Sequence, residues 1–343
     1  MSRSLNSQED VASCCEKVHV VGPGNVKLLS QNEIDKITDN GNVKVMCFTW
    51  NIAEKNVHAI KALCHLFKQI PLTERPHIIA ISLQELPPSD VTFHTKVISA
   101  LEKCLDETHC TMCWVRRWSQ IQIVMVAKKI KNNVSTFSYR FLPCKMLAKP
   151  VRTKGSIVIY MKIFKMTCAF ISCHFSHQGL KNRVANSIKI YANFVTTQEL
   201  NTAIDSYFWF GDMNFRLNLD WDNELVKKLE KHDTLTNRKK LDLIKDILLS
   251  SDELTFQMNK NIIFKGFKEP SIHFLPTYKY IKDTDSYDKG RNLAYTDRVI
   301  YYSKKENLVR PYRYDSVLQC MVSDHRPVYA IFIVDVSSTK FGN

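Results

Sequence analysis

The chain has 343 residues, 45% of them hydrophobic, enough to bury a sizeable core in a single α/β unit. It contains no internal repeat, no long low-complexity linker, no signal peptide and no apolar run of about 18 residues, so neither a repeat array, secretion nor membrane spanning is supported. The formal net charge of +14 suits polyanionic partners, either nucleic acid or the anionic cytoplasmic leaflet of a membrane.

Residues 1–40, rich in Ser, Gln, Asn and Asp around a Gly22-Pro23-Gly24 turn, read as a loosely held lead-in. The first buried-strand pattern, Val45 to Trp50, ends in Asn51. Ala59, Ile60, Leu63 and Leu66-Phe67 then recur at helical spacing, which predicts a helix after Asn56. A second apolar run, Ile78 to Leu83, ends in Gln84 and Glu85; a carboxylate there is costly unless charged partners meet it. Ile121 to Val126 and Ile157 to Met161 read as strands rich in β-branched residues. Phe170 to Cys173 leads into His174, and Arg183 to Ala203 reads as a longer helix.

The next strand, Tyr207 to Phe210, delivers Gly211-Asp212-Met213-Asn214-Phe215-Arg216. In extended backbone residues i and i+2 share a face, so Asp212 and Asn214 can converge on one atom while Gly211 permits a close approach. Gly-Asp-x-Asn also occurs in ordinary turns, where Asp and Asn cap their own backbone. A helical stretch from Asn237 to about Ser250 follows. The chain closes on two more polar stations beside strands, Thr296-Asp297-Arg298 and Ser323-Asp324-His325-Arg326-Pro327-Val328.

The eleven cysteines form no framework. Cys110 and Cys113 make a lone CxxC, but zinc needs a second pair or matching histidines. Buried free thiols are the expectation, in a reducing compartment. The basic clusters Lys128-Lys129-Ile130-Lys131, Lys227-Lys228, Arg238-Lys239-Lys240 and Lys304-Lys305 taken singly read as solvated faces.

The ordered set Trp50-Asn51, Gln84-Glu85, Lys154-Gly155, His174, Trp209 to Arg216, Pro276-Thr277-Tyr278-Lys279-Tyr280, Thr296-Asp297-Arg298 and Ser323 to Val328 resembles the inositol polyphosphate 5-phosphatases over about residues 43–336. Phe264 to Pro276 is most similar to the type IV branch, which is associated with cilia. The resemblance implies a DNase-I-like α/β fold: a four-layer sandwich of two mixed β-sheets packed face to face and flanked by helices. The catalytic domain would span 41–337, with 338–343 a short tail. Three positions depart from the family pattern: Ser156, Ser172 and Leu293.

The implied activity is Mg²⁺-dependent removal of the 5-phosphate from phosphatidylinositol 4,5-bisphosphate and the 3,4,5-trisphosphate. Phosphomonoester hydrolysis needs a cation and donors on the phosphoryl oxygens, and carboxylate-plus-amide sites favour hard Mg²⁺. Glu85 is the expected metal ligand with Asn51 nearby, and Asp324 supports the metal or the base. By resemblance Asp212 is the base that orients the attacking water, Asn214 and His174 donate to phosphoryl oxygens, and His325 does so while paired with Asp297. Tyr278, Lys279, Lys289 and Arg291 match the positions that grip the neighbouring 4-phosphate.

The expected partners are the phosphoinositide substrate and, peripherally, the anionic cytoplasmic face of a membrane, with no nucleic acid. The type IV branch commonly carries a C-terminal prenylation signal and a proline-rich N-terminal extension. This chain shows neither, and Met1-Ser2 excludes N-myristoylation. Ciliary association rests on the branch resemblance alone. Alternatives are a phosphatase of soluble inositol polyphosphates, a nuclease of the same fold, and a catalytically weak phosphoinositide-binding scaffold. The Pro276 to Tyr280 block with Lys289 and Arg291 separates the first reading from a nuclease.

Overall fold

The computed structural model describes residues 21–22, 26–27, 29–53, 57–144, 154–195 and 204–337. A short antiparallel strand pair, β1 (Val21–Gly22) and β2 (Val26–Lys27), precedes helix α1 (Gln31–Ile37), which inserts Ile34 into the core. The end of the expected lead-in thus forms a helix, with the Glu33 carboxylate accepting from the Ser30 N–H. Then come β3 (Asn42–Asn51), α2 (Val57–Lys68), β4 (Ile78–Gln84), α3 (Val91–Leu105), β5 (His109–Arg117) and β6 (Gln120–Ala127). The second half runs β7 (Val134–Pro143), β8 (Gly155–Ile163), β9 (Met166–His174), α4 (Gly179–Phe194), β10 (Ser206–Asp212), α5 (Glu224–Glu230), α6 (Asn237–Ser251), α7 (Glu253–Asn259), β11 (Asp297–Ser303), β12 (Val309–Ser316) and β13 (Val328–Asp335).

The strands form a six-stranded sheet ordered β12-β13-β3-β4-β6-β5 and a five-stranded sheet ordered β11-β10-β9-β8-β7. Each is antiparallel except for one central parallel pair, β3/β4 in the first and β9/β10 in the second. Strand alternation sorts each sequence between two layers. Val43, Val45 and Cys47 of β3 join Phe208 and Phe210 of β10 in the core between the sheets. Met46, Phe48 and Trp50 face α2 and α3 instead, where Leu63, Phe67, Phe93, Val97 and Leu101 bury against them. On the far side Ala169, Ile171, Tyr207 and Trp209 pack under Ile190 and Phe194 of α4. The result is the expected order of helices, sheet, sheet and helices.

The helix expected over Arg183 to Ala203 begins four residues earlier, at Gly179, and its last turn ends with Phe194 capped at Val195; residues 196–203 lie outside the described set, as does the tail 338–343. The helix expected after Asn56 spans Val57–Lys68, and that from Asn237 reaches Ser251. All described cysteines are free thiols, with Cys110 and Cys113 half-buried on β5. Among the described residues no helix is long and apolar enough to cross a membrane.

Gly211 sits at φ +148°, and a Cβ there would fall 2.1 Å from the Cys173 carbonyl of the neighbouring strand. Only glycine fits that contact. Arg298, fully buried next to Asp297, is held by Asp252 at 3.0 Å and by Glu269 at 2.5 Å. Charges taken from water require such partners, and these tie the C-terminal end of α6 to the start of β11.

Candidate active site

Alternation also builds the site. The inward-facing positions of β3 continue past Val45 and Cys47 to Thr49 and Asn51; those of β10 run Phe208, Phe210, Asp212; those of β9 run Phe170, Ser172, His174. Each row of inward side chains changes from apolar to polar at the same end of the sandwich. Register aligns the ends: Gly155 pairs with His174, His174 with Asp212, and Asp212 with Asp297 across four adjacent strands, while Asn51 pairs with Gln84 in the other sheet. Polar groups therefore line up where the two sheets meet.

Asn51 Nδ2 donates to Asp212 Oδ2 at 3.1 Å, joining the sheets. His174 Nε2 lies 3.3 Å from the same oxygen and 3.6 Å from Glu85 Oε1. The Lys154 ammonium contacts His174 Nε2 and lies 3.7 Å from Glu85 Oε1. Asp212 Oδ1 accepts from the Asn214 N–H at 3.0 Å. Burial pushes the Asp212 carboxyl up, but the hydrogen bond and charge of His174, with His325 and Lys154, outweigh it and hold the group below the usual carboxylate range. Burial is also the largest influence on Glu85; His174, Lys154 and an Asn51 hydrogen bond overcome it and keep that group low. Burial and Lys154 lower the proton affinity of His174, while Asp212 and Glu85 oppose them.

On the other side of Asp212, His325 Nδ1 lies 2.9 Å from Asp297 Oδ2, an oxygen that also accepts from Thr296 Oγ1 at 2.8 Å and Thr277 Oγ1 at 3.1 Å. Burial would lower the His325 pKa, but the adjacent Asp297, assisted by Asp212 and Asp324, pushes it up to about 9. The imidazole is therefore a cation at neutral pH, a donor fixed by its carboxylate. Trp50 Nε1 donates to the His325 carbonyl at 3.1 Å, and Ser323 Oγ donates to the Asn51 carbonyl at 2.7 Å, fixing this loop against β3.

Of the expected site residues, Asn51, Glu85, His174, Asp212, Asn214, Asp297 and His325 converge. His174 turns Nε2 to Asp212, so its expected donor atom faces a carboxylate, and Nδ1 is buried without a hydrogen-bond partner among the described residues. Asn214 gives Nδ2 to the Phe175 carbonyl at 3.1 Å and accepts at Oδ1 from Arg216 at 2.6 Å. The Tyr278 ring lies tilted beside His325, ring centroids 4.5 Å apart. Lys279 is held by Asp288 at 3.0 Å. Lys289 and Arg291 are exposed farther along the same loop, with Lys289 paired to Glu230 at 2.6 Å. Lys154, Arg216, Thr277 and Thr296 all fall within the motif residues, yet nothing local in the sequence distinguishes them as the groups that touch His174, Asn214 and Asp297. Among the departures from the family pattern, Ser156 and Ser172 are buried in the five-stranded sheet, and Leu293 packs into the central core.

Asp212, Asp297 and His325 bring potential ligand atoms within 4.8 Å of one another. A His325 charged by Asp297 has no free lone pair for a metal. Glu85 fits a divalent ion better: its side chain is 35% exposed, next to the Asn51 amide. Asp324 Oδ1 is buried and without a hydrogen-bond partner among the described residues, a further oxygen available to a hard cation.

The layers and their shared polar end define the class, a DNase-I-like α/β sandwich with its site at one edge of the sheet interface. The chain belongs to Endonuclease/Exonuclease/phosphatase family 2, which it matches over residues 48–331. It is 35% identical to phosphatidylinositol polyphosphate 5-phosphatase type IV of Rattus norvegicus over 208 residues, 55% of this chain and 31% of that protein. It is 28% identical to polyphosphatidylinositol phosphatase INP53 of Saccharomyces cerevisiae over 330 residues, 88% of this chain and 27% of that protein. The chain thus spans less than a third of the length of either relative. In three dimensions it resembles the inositol polyphosphate 5-phosphatase domain of a synaptojanin in complex with inositol (1,4)-bisphosphate and calcium ion, with TM-score 0.69, 21% identity and 88% coverage of each chain. That likeness shows the fold. The resemblance read from the motifs, to the 5-phosphatases and the type IV branch in particular, is borne out.

Proposed function

We propose that the chain is a Mg²⁺-dependent phosphatase that removes the 5-phosphate from phosphatidylinositol 4,5-bisphosphate and the 3,4,5-trisphosphate at the cytoplasmic face of a membrane. The observation that carries this reading is the gathering of Asn51, Glu85, His174, Asp212, Asp297 and His325 at one end of the sheet interface, next to Tyr278 and Lys279. The type IV relatives and the synaptojanin domain support the substrate class.

Glu85, with Asn51 nearby, would hold a Mg²⁺ ion, whose positive charge would offset that of the phosphoryl oxygens. Asp212 is kept ionised by its neighbours, so it can accept a proton from a water aimed in line with the leaving 5-oxygen. Asn51 and His174 hold its carboxylate still. The His325 cation, oriented by Asp297, donates to a phosphoryl oxygen as negative charge builds there. Tyr278, Lys279, Lys289 and Arg291 grip the 4-phosphate, which a vicinal bisphosphate requires of several cations and a hydroxyl.

The test is inorganic phosphate release in Mg²⁺ from vesicles holding each lipid and, in parallel, from the matching free inositol phosphates. Wild type should release phosphate from the lipids, and Asp212→Ala should fall by roughly 10²–10⁴, the usual worth of a general base. An equal rate in the variant would reject the assignment. Faster turnover of the free headgroups would move the reading to a soluble substrate.

A further inference from the structure

Arg216 stands between the two halves of the site. Its backbone is locked from behind: the N–H donates to Glu253 Oε2 at 2.9 Å, and the carbonyl accepts from the Glu253 N–H at 3.0 Å. Glu253 is itself held by the buried Arg183, whose Nη2 reaches both carboxylate oxygens at 2.9 and 2.6 Å. From this fixed base the side chain meets two groups that flank the reacting centre. Nη2 donates to Asn214 Oδ1 at 2.6 Å, and the guanidinium carbon lies 4.6 Å from the centroid of the Tyr278 ring. The same ring is the neighbour of His325 at 4.5 Å.

An amide side chain can be turned over, exchanging its oxygen for its nitrogen. A guanidinium offers donors and no acceptor, so Arg216 accepts only the arrangement with Oδ1 toward itself. That leaves Nδ2 to the Phe175 carbonyl, its second hydrogen unpaired among the described residues. One planar group can stack on Tyr278 and hold Asn214 together, which a lysine ammonium cannot do. The backbone bonds to Glu253 do not depend on the side chain and would survive its replacement.

We propose that Arg216 is a positioning residue that couples Asn214 to Tyr278, so that the groups holding the 5-phosphate and those holding the neighbouring phosphate reach their working geometry together. The inference rests on the phosphatase reading above and adds to it a link between the two subsites.

The test uses the full chain with Arg216→Ala and Arg216→Lys, each checked for an unchanged thermal melt. Against phosphatidylinositol 4,5-bisphosphate vesicles in Mg²⁺, kcat of Arg216→Ala should fall about a hundredfold, the scale of a misplaced catalytic group, and KM should rise. With phosphatidylinositol 5-phosphate kcat should fall alike while KM stays near its wild-type value. Arg216→Lys should recover little. The double variant with Asn214→Ala should be no slower than Asn214→Ala alone, since coupled residues are not additive.

A readout without turnover is calorimetric titration with free inositol 1,4-bisphosphate. Arg216→Ala and Tyr278→Ala should each weaken binding about tenfold, and together no more than either alone. Losses that multiply in both cycles, or an Arg216→Ala enzyme within twofold of wild type, would overturn the coupling. If wild type releases no phosphate from any lipid, the phosphatase reading fails while the titration still judges the coupling.

Discussion

Asn51 and Asp212 end strands in different sheets, and the Asn51 amide donates to the Asp212 carboxylate at 3.1 Å across the interface. A hydrogen bond to a buried charge contributes more than one between neutral groups, about 1.5–3 kcal/mol. Asn51→Ala should therefore lower the unfolding free energy by about 2 kcal/mol, measured by urea denaturation. A variant as stable as wild type would show that the contact holds neither sheet.

Glu85 offers its half-exposed carboxylate at the mouth of the site, so metal binding should be visible without substrate. Saturating Mg²⁺ should raise the melting temperature of wild type, because a ligand at about 100 times its Kd stabilises by about 2.7 kcal/mol. Glu85→Gln removes the charge and should abolish the shift. An undiminished shift in the variant would place the ion elsewhere.

The His325–Asp297 pair predicts an alkaline limb. The folded-state pKa of His325, pushed up to about 9, lies above the roughly 6.5 of an exposed imidazole. Its contribution to stability is therefore complete below about pH 6.5 and lost as pH rises through about 9. The profile of kcat/KM should fall over the same upper range as the donor loses its proton. Asp297→Asn removes the main cause of the shift and should move the limb down by two units or more in a pH series. A limb unmoved by that change would detach the titration from this pair.

Lys279 is held ready by Asp288 at 3.0 Å, while Arg291 stands exposed on the same loop. Replacing either with alanine should reduce turnover of 4-phosphorylated substrates by about tenfold or more, and turnover of a lipid bearing only the 5-phosphate much less. Equal losses on all lipids would mean that the loop does not read the 4-phosphate.

Much of this was legible along the chain. The two-residue period of β3, β9 and β10 separates inward from outward side chains, so Asp212 and His174 could be read as the polar ends of apolar strands. The 3.6-residue period located α2 and α6 to within a residue or so. Element ends were less legible: α4 starts at Gly179, ahead of its first strongly patterned turn, because of its first four residues only Leu180 is an apolar residue packed against the core. Site membership was legible as a set of motifs, but the partner of each member was not. His174 reads as a lone polar residue ending a strand, and only the fold gives its Nε2 to Asp212 and brings Lys154 against it.

The sequence alone determined which faces of each strand are apolar and which end is polar, because alternation is a local property of extended backbone. It also fixed the order of the acidic, amide and imidazole residues. The tertiary structure alone decided that Gly155, His174, Asp212 and Asp297 fall in one row across four strands and that Asn51 meets them from the opposite sheet. The ionisation of the site follows from that juxtaposition. His325 carries its charge because Asp297, 28 residues away, is packed against it out of water, and no local pattern encodes a neighbour that only the packing of one sheet on the other supplies.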